Sequence, residues 1–288
     1  MATKLDISRE KLIAELQKYY NGYSWTGNEK VFNPFSVLRA LYYQKLKNYW
    51  FESGTPTFLI KLMQQEQALP QDFENLKMTE LGLDTADIRN ITLESLLFQT
   101  GYLTVTGLKK SELSELNNFF LLNFPNTEVR ESFFTYLLTA YSGSKLSKTQ
   151  PDLSDIREYL NEGKIKSATN ILESYLAHIP GKLRIPAERY YQSLLYMALS
   201  LAGMKTELER WTATGVLDGV LELPQRIYFI EFKYAKTGKA ETQALNAVNQ
   251  IKTKNYAQAW RPLQGEKKLI ALGVGVAGKK SAFLSEEI

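Results

Sequence analysis

A chain of 288 residues that is 44% hydrophobic can bury one large core or two smaller ones. It has no cysteine and one histidine, His178, which excludes disulfides, thiolate nucleophiles, zinc-thiolate and multi-histidine metal centres and, with no G-x-S-x-G elbow, an evident Ser-His-Asp triad. The net charge of +4 and the pI near 8.9 permit a polyanionic partner without establishing one.

No apolar run reaches the ~18 residues that a membrane span needs, and the N-terminus leads into a polar amphipathic stretch rather than a signal peptide. The expectation is a cytoplasmic protein with no membrane partner.

Residues 7–20 carry Leu12, Ile13, Leu16 and Tyr19-Tyr20 at helical spacing, with Ser8 as the cap and Asn21-Gly22 as the stop. Tyr23 to Asn28 reads as a small hairpin. Asn33-Pro34 then opens a helix that runs to about Lys47, with proline in the first turn. The aromatics of Asn48 to Pro56 fit either a core or a base-stacking platform, and their large apolar area favours the core.

Phe58 to Met63 is a short helix, and Leu69 to Arg89 is a polar passage where a linker would fall. Thr92–Thr100 reads as a helix, Tyr102–Thr106 and Asn117–Asn123 as strands around a charged loop, and the Phe133 to Tyr141 region as an amphipathic helix. Ser142 to Pro151 marks a boundary. Helices follow at 152–162, 165–179 and 187–201, the last opening on Glu188, where an acid suits the helix dipole. Met204 to Trp211 reads as the first strand of a C-terminal sheet, Lys239 to Gln258 as a helix and Leu269 to Val276 as a further strand.

The chemistry concentrates between Glu209 and Lys233. Val216–Leu221 and Arg226–Lys233 are short strands of branched and aromatic residues joined by Pro224-Gln225, a hairpin pattern. Strand alternation puts Glu231 and Lys233 on one face and Phe232 on the other. Asp218 lies on the partner strand, and register decides whether it meets them. Two carboxylates beside a backbone carbonyl are the hard-oxygen donors that Mg²⁺ takes. Such a site hydrolyses phosphodiesters by activating water and neutralising charge in the transition state. An E-x-K triplet alone also arises by chance on solvated strands.

The order Glu209, Gly215, Asp218, Glu231-Phe232-Lys233, Ala244-Leu245, Gln250-Ile251 and Tyr256 resembles the PD-(D/E)xK nuclease superfamily. It is most similar to the nuclease domain that ends a bacterial family pairing an AAA-ATPase-like domain with such a nuclease. The resemblance implies Asp218 and Glu231 as metal ligands together with the Phe232 carbonyl, and Lys233 as the catalytic lysine acting on water. It implies Glu209 as the upstream acid, Gln250 as the helix glutamine, and Mg²⁺ or Mn²⁺ as cofactor. Where the family pattern has an arginine after the glycine, this chain has Val216, which bears on phosphate affinity rather than on the metal site.

Tyr20 to Tyr23, Asn33 to Val37, and Asn48 to Trp50 with Ser53 to Thr55 resemble the closing segment of the AAA-ATPase-like domain. No phosphate-binding loop precedes them, so ATP binding and hydrolysis are not expected. Gly273 to Lys279 fits both G-x-x-x-x-G-K and G-x-G-x-x-G, but Lys280 stands where Ser or Thr should, and too few residues follow for a βαβ unit.

The lysines of the C-terminal third, including Lys236, Lys239, Lys252, Lys254, Lys267, Lys268, Lys279 and Lys280, read equally as a phosphate-tracking surface or as solvated faces. The expected architecture is of the α+β or α/β class: an α-rich domain over 1–145, through which a protein partner could bind, then a nuclease-like domain over 146–288 with a small mixed sheet flanked by helices. The expected activity is Mg²⁺-dependent cleavage of nucleic acid, taken as DNA. The alternative is a catalytically silent nuclease fold used for binding.

Overall fold

The computed structural model describes residues 1, 7–50, 57–83, 91–110, 118–177, 187–203, 210–212 and 215–288. Glu209, His178 and residues 204–208 lie outside them. The chain forms two compact units, Met1–Tyr136 and Leu137–Ile288. Among the described residues no helix is long and apolar enough to cross a membrane.

The first unit opens with α1 (Arg9–Tyr20), whose Ser8 side chain accepts from Lys11 N, and α2 (Pro34–Tyr43), where Asn33 accepts from Ser36 N. These are the caps that the sequence predicts, each satisfying an amide that the helix leaves unpaired. Helix α2 stops short of Lys47 because Gln44 turns left-handed at φ 54°. Tyr49 is fully buried, and the Tyr49 and Trp50 amides donate to buried Glu128 Oε1 at 2.6 and 2.9 Å. Trp50 stacks on Tyr23 with centroids 5.7 Å apart. Tyr49 is core, while Trp50 and Tyr23 are half-buried; residues 51–56 lie outside the description.

After α3 (Thr57–Glu66), the described part of the expected linker, up to Leu83, is structured. A 3-10 turn at Pro70–Phe73 leads to β1 (Leu76–Thr79) and the short α4 (Glu80–Leu83). Helix α5 (Leu93–Gln99), β2 (Thr104–Lys110) and β3 (Asn118–Asn123) follow, and the three strands form an antiparallel sheet in the order β1-β3-β2. Two of these strands match the expected ones at Tyr102–Thr106 and Asn117–Asn123; β1 was not expected, because four residues are too short for a periodic signal.

Helix α6 (Thr127–Ser142) carries the division between the units. Helix α7 (Leu146–Glu162) begins inside the Ser142 to Pro151 stretch and runs through Pro151, offsetting a missing amide with the buried stripe Leu153, Ile156 and Leu160. Gly163, at φ 82°, ends it, and α8 (Ile165–Leu176) and α9 (Ala187–Leu201) follow.

Of the expected strand Met204–Trp211 only Arg210 and Trp211 are described. β4 (Arg210–Thr212) pairs with β5 (Gly215–Leu217) in a separate two-stranded sheet, not as the first strand of the main one. The chain then bends at Asp218 into β6 (Gly219–Glu222), so Val216–Leu221 is two strands and not one. β6, β7 (Arg226–Ala235), β8 (Lys268–Ala277) and β9 (Lys280–Glu287) form a mixed sheet in that order, parallel only between β7 and β8. Helix α10 (Ala240–Thr253) makes the crossover that a parallel pair requires.

Both faces of this sheet are covered. Ile227 and Phe229 of β7 pack with Val248, Ile251 and Tyr256 on the α10 side. On the other face Tyr228 donates to Leu160 O at 2.6 Å, and Tyr234 meets Tyr191 of α9.

Candidate active site

Three elements converge on one carboxylate. Glu231 lies in the middle of β7 on the face covered by α10 and is 3% exposed. Its Oε1 accepts from Lys233 Nζ at 3.0 Å and from Gln250 Nε2 of α10. Gln250 Nε2 also lies 3.4 Å from Tyr256 Oη. Lys233 is two residues along the same strand and therefore on the same face, as the alternation predicts.

The antiparallel register of β6 and β7 pairs Gly219 with Ile230, so one further step sets Asp218 opposite Glu231. The bend turns the Asp218 carboxylate onto β7, where Oδ2 accepts from Phe232 N at 2.7 Å. The Phe232 ring is buried on the opposite face. Thus Asp218, Glu231, Phe232, Lys233 and Gln250 come together. Glu209 lies outside the described residues, and the Val216 side chain is likewise undescribed.

The electrostatics are those of a crowded acid pair. Burial, and then the Asp218 charge, push the Glu231 carboxyl up from 4.5 to about 7, against the pull of Lys233. Glu231 Oε2 is buried with no hydrogen-bond partner among the described residues. A buried acceptor left this way costs on the order of 1–3 kcal/mol. The Glu231 pocket therefore offers anionic oxygen to a cation. Two carboxylates on adjacent strands suit a hard divalent ion that keeps several waters. Among the described residues they are not joined by a third acid or a histidine.

The glycines of β8 explain how α10 gets this close. Glu231 and Lys233 pair in register with Gly273 and Gly275. A Cβ on Gly273 would sit 2.2 Å from Ala244 O, and one on Gly275 would sit 2.1 Å from Ala240 O. The nucleotide-loop pattern at Gly273 to Gly278 is thus a helix-packing seam followed by a tight turn, with Gly278 at φ 59°. Sequence reading placed Gln250 only through the family pattern and gave Tyr256 no role. The six-residue interval from Gln250 and the nearby helix end were the available signals.

Residues 186–286 match the family model described as PD-(D/E)XK nuclease superfamily, so the C-terminal part of this chain is a domain of that family. A curated protein, the uncharacterized protein in the vnfD 5′ region of Azotobacter chroococcum mcd 1, is 30% identical over 252 residues, 86% of this chain and 47% of that protein. The chain spans about half the length of that relative. No solved structure gives a significant match.

Proposed function

We propose that this domain is a divalent-metal-dependent nuclease acting on DNA, with Asp218 and Glu231 holding the ion and the Phe232 carbonyl beside them. The observation that carries the reading is the register that sets Asp218 against a buried Glu231 whose Oε2 lacks a partner among the described residues. Bound Mg²⁺ or Mn²⁺ would supply charge neutralisation at phosphoryl oxygens and activation of water.

The chain's own residues have separable tasks. Lys233, whose ammonium lies 3.0 Å from Glu231 Oε1, partly neutralises that carboxylate and would act on the attacking water and the phosphate. Gln250 fixes the orientation of the Glu231 carboxylate from the helix side. Glu209 is proposed as the auxiliary acid. For the N-terminal part, a likeness to an AAA-ATPase-like domain is a proposal that rests on the motifs of Tyr20 to Tyr23, Asn33 to Val37 and Asn48 to Trp50.

The test is cleavage of linear, circular and single-stranded DNA, and of RNA, with Mg²⁺, Mn²⁺ or EDTA. Metal-dependent cleavage that Asp218→Asn abolishes is the expected result; Asn can still accept from Phe232 N, so the fold should survive. No cleavage of any substrate with either metal would favour a binding module. That second reading draws support from the pairing of Glu231 with both Lys233 and Gln250 and from Val216 at the family's arginine position.

A further inference from the structure

The lysines of the nuclease sheet divide between its two ends. At the end where β7 and β8 begin, Lys267 pairs with Glu222 at 2.5 Å and Lys268 with Glu287 at 2.9 Å, and Lys252 of α10 pairs with Glu286 at 2.6 Å. Arg261 shares a hollow there with Glu286 and Glu287. This end is balanced within the molecule.

The opposite end is not. Lys236 and Lys239 lie in the connection from β7 to α10, Lys279 in the turn from β8 to β9 and Lys280 at the start of β9; all four are exposed. The two segments abut, since Gly278 N donates to Ala235 O at 2.9 Å. None of the four ammonium groups has an ion-pair or hydrogen-bond partner among the described residues. Among the described residues, the exposed acids on neighbouring elements at this end are Glu241, in the first turn of α10, and Glu188, one turn before Tyr191, whose hydroxyl reaches Gly278 O at 3.3 Å. Among the described residues lysines here outnumber carboxylates, and clustered like charge left without a neighbouring acid calls for an anionic partner.

The position of the cluster identifies the anion. It lies at the end of β7 toward which Lys233 stands from Glu231, and five residues at ~3.3 Å each separate Glu231 from Lys236, roughly 16 Å. That is about five steps of a nucleic-acid strand at ~3.4 Å. We infer that Lys236, Lys239, Lys279 and Lys280 form a clamp for the sugar-phosphate backbone of the nucleic acid on one side of the bond presented to Glu231 and Lys233. The inference rests on the nuclease reading for the identity of the polyanion, but it concerns binding and not hydrolysis.

The test is the salt dependence of affinity for a fluorescein-labelled DNA duplex, measured on the full chain in EDTA so that cleavage plays no part. Replacing the four lysines with glutamine (Lys236→Gln, Lys239→Gln, Lys279→Gln and Lys280→Gln) should reduce the slope of log K against log salt by about 0.9 for each phosphate that the protein no longer neutralises. The control carries Lys252→Gln, Lys267→Gln and Lys268→Gln and should keep nearly the parent slope. The double replacement of Lys236 and Lys279 should give an intermediate slope, and it serves in place of the fourfold variant if that one misfolds.

Equal slopes for parent and fourfold variant, a larger drop in the control, or no salt-dependent binding by the parent would overturn the clamp. Binding that behaves as expected in a protein that cuts nothing would overturn the nuclease reading and leave the clamp standing.

Discussion

β7 and β8 lie side by side, run in the same direction and present the same face to α10, yet they do opposite things there. β7 sends Glu231 and Lys233 up from the sheet, while at the paired positions β8 has Gly273 and Gly275 and sends nothing. The difference shows how a helix can be brought within hydrogen-bonding reach of a buried acid. Space is removed on one strand so that the helix settles low, and Gln250 then meets the carboxylate standing on the other. Chemistry and close packing are assigned to different strands, and each can be broken without the other.

The largest effect should come from the chemical strand. Glu231→Gln removes an anionic oxygen while keeping the shape, so cleavage should fall at least ~10³-fold, about 4 kcal/mol of activation free energy. Stability in denaturant should stay level or rise, because a buried charge is gone. A variant that cuts at the parent rate would end the assignment of Glu231.

The packing strand should respond the other way. Gly275→Ala drives a Cβ to 2.1 Å from Ala240 O, so the helix must lift or the sheet deform, at a cost of about 3 kcal/mol in chemical denaturation. Unchanged stability would mean that α10 does not sit as low as described.

A third test uses pH. Glu231 has its folded pKa raised from 4.5 to about 7, so the native state holds its proton more tightly than the unfolded chain. This contribution to stability is fully present below about 4.5 and is lost as pH rises through about 7. In EDTA, stability should therefore decline across that window by roughly 1–3 kcal/mol, taking ~1.4 kcal/mol per pKa unit as an upper guide. Glu231→Gln should flatten the decline, and a slope that persists in that variant would assign it to other groups.

The smallest effect belongs to the residue that links the two strands' roles. Gln250→Ala leaves both strands intact and frees the Glu231 carboxylate to rotate, so cleavage should fall about tenfold, and metal affinity by 10–100-fold as for other residues that orient a ligand. A drop in cleavage with metal affinity unchanged would move Gln250 from orienting Glu231 to touching substrate.

Much of this site was legible in the sequence because strand alternation is a local rule. Placing Glu231 and Lys233 on one face needed only their spacing, and the Pro224-Gln225 turn fixed the hairpin. The meeting of Asp218 with β7 was not legible, because it depends on register and on a bend within Val216–Leu221. The Asp218-Gly219 pair, a turn dipeptide, was the one local hint of that bend. β1 and β9 escaped notice for other reasons: β1 alternates apolar and polar residues but over only four positions, and β9 is charged at both ends and shows neither an apolar run nor clean alternation. The glycines of β8 were noticed for the wrong cause, since a G-x-G pattern looks the same whether a phosphate or a helix comes close.

β9 has a consequence for the molecule's behaviour at high concentration. Among the described residues it is an edge of the four-stranded sheet, and β6 at the opposite edge has only four residues. An incoming strand seeking to extend the sheet at β9 would have to dock between Lys280 at one end and Glu286 and Glu287 at the other, stripping water from all three. Charge at both ends of an edge strand opposes such addition, so this hairpin guards the domain against ordered aggregation.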